Sequence, residues 1–339
     1  MKDMIKKLVE AWGPSGAEYR VRALIEREID ALVDETRTDA LGNLIALKKG
    51  DGSGKKVMLS AHMDEIGVMV SWVDEKGFVR INPIGGVRPL YEVMGRVAFE
   101  NGTIGVIGLE KMEKSDQVPP FEKLYVDVGA SSREDCPVRV GDFGSFVRPM
   151  VETGGHLTSK AMDDRIGCAV LIQALRELDS SGATQGKSLP HDVCFCFSSQ
   201  EEVGLRGAMT GAFGISPDVG IAVDVTGAGD TPEPQGKMAT QLDKGPAIKV
   251  KDGGMLATPW VKEWMIRAAE ANDIPYQLEV LAGGTTDARA IQTTQAGIPA
   301  GCLSIVTRYI HSPSETVSYS DVLNSVKLLL AMLSKPIES

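Results

Sequence analysis

Val193, Cys194, Phe195, Cys196 and Phe197 form an unbroken apolar run that stops at Ser198-Ser-Gln-Glu201-Glu202. A run apolar at every position, rather than at alternate ones, fits a strand buried on both faces, as in a parallel sheet between helical layers. Adjacent carboxylates at the end of such a strand repel each other and lose hydration. They need a nearby cation to stay ionised.

Similar runs recur along the chain. Leu44–Leu47, Val57–Ala61, Val219–Val223, Tyr276–Leu281 and Cys302–Val306 read as further strands. Helical patterns alternate with them. Val21, Leu24, Ile25, Ile29 and Leu32 share one face, and Arg165–Leu178 reads as a helix. Thr258-Pro259 is an N-cap followed by proline at the first helical position, opening a helix through Trp260, Trp264 and Ala268. Ser318 caps a last helix whose apolar face is Val322, Val326, Leu329, Leu330 and Leu333. This alternation predicts an α/β fold with a mixed, largely parallel sheet sandwiched by helices.

Residues 67–158 have a different texture. Short β-patterned runs follow closely: Val68–Val73, Phe78–Ile81, Val97–Phe99, Thr103–Ile107, Tyr125–Val128 and Phe143–Val147. Asp74-Glu-Lys-Gly77 and Glu100-Asn-Gly102 read as hairpin turns between them. The expectation is a small β-barrel or sandwich inserted into one α/β domain made of residues 1–66 and 159–339.

The 339 residues carry a net charge of -10, and no Lys/Arg-rich run offsets it, which argues against nucleic acid or anionic membrane as partners. No stretch is long and apolar enough to span a bilayer, and the N-terminal segment reads as an amphipathic helix rather than a signal peptide. The five cysteines, Cys136, Cys168, Cys194, Cys196 and Cys302, are odd in number and lack CxxC spacing. They read as structural thiols in a reducing compartment.

The chemistry gathers beyond the apolar runs. Ser60-Ala-His62-Met-Asp64 follows one strand, and Ala161-Met-Asp163-Asp164-Arg165 precedes a helix. Glu201-Glu202, Asp224 and Ile310-His311 follow three more strands. In open α/β sheets the crevice beyond the carboxyl ends of strands is where ligands bind. Asp64, Asp163, Glu201, Glu202 and Asp224 together carry about five negative charges at their reference pKa values. Two divalent cations nearly balance them. Imidazole with carboxylate and no thiolate suits zinc, cobalt or manganese. Asp163, with two oxygens and a place at a chain bend, is a candidate bridging ligand.

Singly, each cluster has an ordinary explanation: Asp163-Asp164-Arg165 as an acidic helix start, Glu201-Glu202 as a solvated helix N-terminus, a lone histidine as a hydrogen-bonded one. Jointly they are hard to explain that way. His156 and His191 lack such neighbours and read as surface residues, and Lys249, Lys251 and Arg308 read as solvated charges.

His62-Met-Asp64, Met162-Asp163-Asp164, Gln200-Glu201-Glu202-Val-Gly, Val223-Asp224 and Ile310-His311-Ser-Pro together resemble the dinuclear metallo-aminopeptidases of clan MH. More narrowly, the chain resembles the glutamyl-aminopeptidase and cellulase-M-like branch that builds tetrahedral particles, and Gly283-Gly-Thr-Thr-Asp-Ala288 resembles that branch's glycine-rich segment. The resemblance implies a phosphorylase/hydrolase-like catalytic domain and two divalent ions, Zn2+, Co2+ or Mn2+. It implies that His62 and Asp224 hold one ion, Glu202 and His311 the other, and that Asp163 bridges them, joined to Asp164 by a cis peptide. It further implies Glu201 as general base and Asp64 as the residue orienting His62. The 67–158 insertion would mediate dimerisation, with dimers assembling into a dodecamer in the cytoplasm. The expected reaction is removal of the N-terminal residue from peptides with a free N-terminus. A metal-dependent deacylase or carboxypeptidase-like hydrolase is the alternative. An endo-glucanase accounts for paired carboxylates but needs neither histidine, and four tryptophans leave little for sugar stacking.

Overall fold

The computed structural model describes residues 1–112, 114, 117–179, 189–232 and 238–337. Helix α1 (Lys2–Glu10) buries Met4, Ile5, Leu8 and Val9 on one face, and α2 (Tyr19–Ile29) buries Val21, Ile25 and Ile29. Strands β1 (Glu35–Thr38), β2 (Leu44–Lys48) and β3 (Lys56–His62) follow.

The chain then leaves the sheet. Strands β4 (Gly67–Val73), β5 (Val79–Ile84), β6 (Arg96–Phe99), β7 (Ile104–Leu109), β8 (Leu124–Asp127) and β9 (Phe143–Phe146) close a barrel in the order β4-β5-β8-β7-β6-β9. The short helix α3 (Pro89–Glu92) lies between β5 and β6. Val68, Val70, Val79, Ile81, Val97, Phe99, Ile107 and Val126 fill the interior at alternate strand positions. Gly144 permits closure, since a Cβ there would stand 2.7 Å from Val97 and 3.0 Å from Val68.

Strands β10 (Val151–Thr153) and β11 (His156–Ser159), inside the 67–158 interval, hydrogen-bond into the large sheet rather than the barrel. Next come α4 (Met162–Asp179), β12 (Asp192–Ser198), α5 (Arg206–Ile215), β13 (Val219–Gly227) and β14 (Ala247–Lys251). After them follow α6 (Pro259–Glu270), β15 (Gln277–Val280), α7 (Asp287–Gln292), β16 (Ala300–Arg308), β17 (Glu315–Ser318) and α8 (Tyr319–Leu333). The sheet runs β1-β2-β12-β3-β13-β16-β17-β11-β10, with β14 and β15 branching from β16. Its centre, β12-β3-β13-β16, is parallel, and its flanks are antiparallel. Helix α4 packs across this centre, burying Ile166, Val170, Leu171, Ile172 and Leu175 against β-strand residues such as Leu59, Phe195, Ile221 and Leu303. The Ser318 hydroxyl accepts from the Asp321 N–H, capping α8.

One register detail opens the crevice. Pairing of β3 with β13 stops at Ser60 and Ala222, whereas β3 follows β12 on to His62 and β13 follows β16 on to Gly227. The two central strands diverge there, and His62 and Asp224 lie just past the split. Asp224 therefore sits inside β13, not at its end as the sequence pattern predicts.

Candidate metal centre

His62 closes β3 and is 1% exposed. Its Nδ1 stands 3.0 Å from the Asp64 backbone carbonyl, so Nδ1 donates. Nε2 faces Asp163 Oδ1 at 2.9 Å. The other Asp163 oxygen, Oδ2, is 3.3 Å from His311 Nε2, and that nitrogen is 3.2 Å from Glu202 Oε2. One carboxylate thus presents one oxygen to each of two imidazoles. Glu201 Oε2 lies 3.9 Å from His62 Nε2.

Main-chain conformation aims these groups. Ala161 and Gln200 have φ of 53° and 55°, and Tyr309 and His311 have φ of 62° and 59°. These left-handed turns redirect the chain just before Asp163, just before Glu201 and at His311. The Asp163-Asp164 peptide is cis, and both residues depart from helical angles before α4 becomes regular. Buried Asp164 accepts from the N–H groups of His62 (3.2 Å) and Gly167 (3.0 Å). Position 167 must be glycine, because a Cβ would stand 2.4 Å from the Asp164 carboxylate.

Glu201 and Glu202 sit in a turn rather than an extended segment, with Gly204 and Leu205 donating to the Glu201 carbonyl at 2.9 Å. Asp64 holds that turn. Its Oδ1 accepts from Glu201 N–H (3.0 Å), and Oδ2 accepts from Glu202 N–H (3.1 Å) and Ser15 Oγ (2.6 Å). The Asp64 carboxylate is 3.5 Å from His62 Nδ1, farther than its own carbonyl. The Asp64 carbonyl and carboxylate both stand beside Nδ1 of the ring, and the carboxylate also holds the glutamate pair.

Electrostatics in this buried site are extreme. Burial disfavours charge on His62 and His311, yet the carboxylates beside them outweigh it, raising His62 well above its ordinary value and His311 to about 12. Burial raises Asp163, but hydrogen bonds from His311 and His62 outweigh it and hold the carboxyl below its usual range. Burial pushes Glu201 well up and Asp224 up to about 8, in both against the pull of His62 and with neighbouring carboxylates adding to the rise.

The residues fit metal ions. His62, Asp163 and Asp224 have ligand atoms within 4.8 Å of one another, as do Asp163, Glu202 and His311. With Nδ1 of His62 donating to the Asp64 carbonyl, Nε2 is left to hold either a proton or a cation against the Asp163 oxygen. Two ligand bonds of about 2.1 Å on one ion place their donor atoms roughly 3.0–3.4 Å apart. Glu202 Oε1 is buried without a hydrogen-bond partner among the described residues, as an atom reserved for a cation would be.

The cluster opens into a cavity of about 1060 Å³, lined also by Arg88, Tyr91, Arg289, Arg308 and Tyr309. Several sequence readings change here. Lys249 is not solvated: it is fully buried and paired with Glu279 at 2.5 Å, on a carboxylate that also accepts from Thr226. Arg308 pairs with Asp230 at 2.8 Å. His191 is buried, accepting at Nδ1 from Lys55 N–H and reaching the Lys335 carbonyl, so it is a core residue. All five cysteines are free thiols. Asp287 and Glu315, buried around the site, escaped sequence reasoning. Asp287 accepts from Ser60 and Ser198 at the ends of β3 and β12, and only its place in the glycine-rich segment hinted at a role.

A mixed sheet with a parallel centre, an inserted closed barrel and a His–carboxylate cluster where the central strands diverge define a hydrolase of the aminopeptidase class. The model of the M42 glutamyl aminopeptidases matches residues 42–328, and the chain belongs to that family. A putative aminopeptidase of Acetivibrio thermocellus is 47% identical over 97% of both chains. An aminopeptidase structure from the archaeon Desulfurococcus kamchatkensis has a TM-score of 0.92 at 42% identity, covering 98% of this chain and 94% of that one. The PhTET1-12s structure, a dodecamer, has a TM-score of 0.87 at 32% identity over 98% of both chains. No helix among the described residues is long and apolar enough to cross a membrane.

Proposed function

We propose that this aminopeptidase works with two divalent ions, one held by His62, Asp163 and Asp224 and the other by Asp163, Glu202 and His311. The observation that carries this reading is the placement of the two Asp163 oxygens against different imidazoles. Zn2+, Co2+ and Mn2+ suit the donor set. When bound, such ions lower the pKa of water and polarise a carbonyl.

The chain's own part in the reaction is proton transfer and positioning. Glu201 takes the proton from the attacking water and later gives it to the leaving amine. Burial strengthens its hold on a proton, and the neighbouring cations would keep it ionised until it takes one. Asp64 fixes both glutamate N–H groups, so Glu201 and Glu202 keep separate tasks at adjacent positions. The cavity admits a peptide N-terminus beside the cluster.

The dodecameric relative supports a twelve-subunit particle for this chain. We infer that the barrel inserted within 67–158 pairs the subunits into dimers and that the particle acts on peptides in the cytoplasm. The test is a panel of aminoacyl chromogenic substrates and their N-acetylated forms, assayed after stripping and reconstitution with zinc, cobalt or manganese. Metal-dependent cleavage of the free forms alone is expected. Equal cleavage of the blocked forms would replace the aminopeptidase reading with a deacylase.

A further inference from the structure

Glu315 opens β17 and is 2% exposed. Its Oε2 accepts the N–H of Asp163 at 2.9 Å, and its Oε1 accepts the N–H of His311 at 2.8 Å. Both oxygens are spent on the main chains of two separate loops. The topology explains how one residue reaches both. β17 lies between β16 and β11, pairing Thr316 with Arg308 on one side and Glu315 itself with Ser159 on the other. Arg308 is the last residue before the His311 turn, and Ser159 the last before the Asp163 bend.

The two loops do not depend on this carboxylate equally. Asp163 is also held through its side chain by His62 at 2.9 Å, whose ring is anchored on the Asp64 carbonyl, whereas the His311 ring meets the other two members of its own cation site at the longer distances of 3.3 Å (Asp163) and 3.2 Å (Glu202). His311 lies in a left-handed turn with φ of 59°, is only partly buried, and makes no other main-chain hydrogen bond among the described residues.

We propose that Glu315 is a positioning residue that sets the His311–Asp163 spacing, and with it the affinity of the cation site formed by Asp163, Glu202 and His311. The site formed by His62, Asp163 and Asp224 depends on it less. This inference rests on the ligand assignment proposed above. Glu315 is buried with its oxygens turned to the Asp163 and His311 N–H groups, and acts through the two backbones.

The chemistry of the side chain makes the idea sharp. A carboxylate accepts two N–H donors at once, whereas the amide of glutamine offers one acceptor and turns its NH2 toward the second donor. Supporting partners of metal ligands typically contribute about 10–100-fold in affinity.

The experiment is calorimetric titration of the metal-stripped protein with Co2+, followed by its visible absorption bands, for wild type, Glu315→Gln and Glu315→Ala. Thermal unfolding of each stripped protein runs alongside. The expected result is two binding classes in wild type. In both variants one class should weaken by about 10–100-fold while the other shifts by less than about threefold. If Glu315→Ala does not fold, the isosteric Glu315→Gln decides. A folded Glu315→Gln protein with both wild-type affinities overturns the proposal. Equal weakening of both classes also overturns it, by making Glu315 a general structural residue. Wild-type protein that binds no Co2+ would instead overturn the ligand assignment itself.

Discussion

His62 Nε2 stands 2.9 Å from Asp163 Oδ1, a contact between residues 101 apart in sequence. With Nδ1 committed to the Asp64 carbonyl, this contact needs a proton or a metal ion between the two atoms. The two therefore compete. His62 is raised well above its ordinary pKa, His311 to about 12 and Asp224 to about 8, so near neutral pH the metal-free site holds protons on all three. Cation loading should release about two or more protons per chain, and affinity should climb with pH through about 8 and beyond, as His311 also gives up its proton. Calorimetry in buffers of different ionisation enthalpy measures the release. Zero release would contradict the assignment.

Glu201→Gln should bind metal as wild type does but lose about 100- to 10,000-fold in kcat. Metal content by elemental analysis and steady-state rates on one substrate check it. Normal turnover would remove Glu201 from the role of base.

Asp64→Ala leaves the Glu201 and Glu202 N–H groups and the Ser15 hydroxyl without their acceptor in a buried place. Each buried unsatisfied group costs about 1–3 kcal/mol, so a loss of at least about 2 kcal/mol is expected in urea unfolding of the stripped protein. An unchanged midpoint would mean the turn is held by other contacts.

Lys249 and Glu279 form an ion pair with both side chains 0% exposed. Lys249→Met strands the carboxylate and should destabilise by about 3–5 kcal/mol, while Lys249→Met combined with Glu279→Leu should recover most of that loss. Denaturant curves for the two variants decide. A double variant worse than the single would show that the pair contributes net stability.

Glu92 is 1% exposed, and neither carboxylate oxygen has a hydrogen-bond partner among the described residues. Burial raises its pKa to about 8, against the pull of Arg148. The folded state thus binds this proton more tightly than the unfolded one. Its stabilising contribution is complete below the unfolded value of 4.5 and is lost as pH rises through about 8. The slope from this group is about 1.4 kcal/mol per pH unit between those values. Glu92→Gln should flatten the decline in stability between pH 5 and 8 by about that amount. Parallel pH–stability curves for the two proteins would refute it.

The barrel strands and the parallel centre were readable in the chain because their burial is regular. Val68, Val70 and, past a bulge, Val73 face one interior, and Val193–Phe197 is covered on both faces. Strand β1 was not readable, since all its residues are exposed at a sheet edge. Strand β17 was not either, because it is a buried strand made largely of polar residues, Glu315-Thr-Val-Ser318. Helix α5 carries Gly207, Gly211 and Gly214, which lower helix propensity. Gly207 is there because a Cβ would stand 2.3 Å from Asn43 and the Ser199 carbonyl.

Sequence alone determined the residue types at the strand ends, hence the charge of the cluster and its demand for cations. Charge and periodicity are local properties, carried by each segment before it folds. Tertiary structure decided the division of labour. The divergence of β3 and β13 placed His62 near Asp224, left-handed turns aimed Asp163 and His311 at each other, and Asp64 and Glu315 gripped main-chain N–H groups far away in sequence. Those pairings depend on strand order and register, which no single segment encodes.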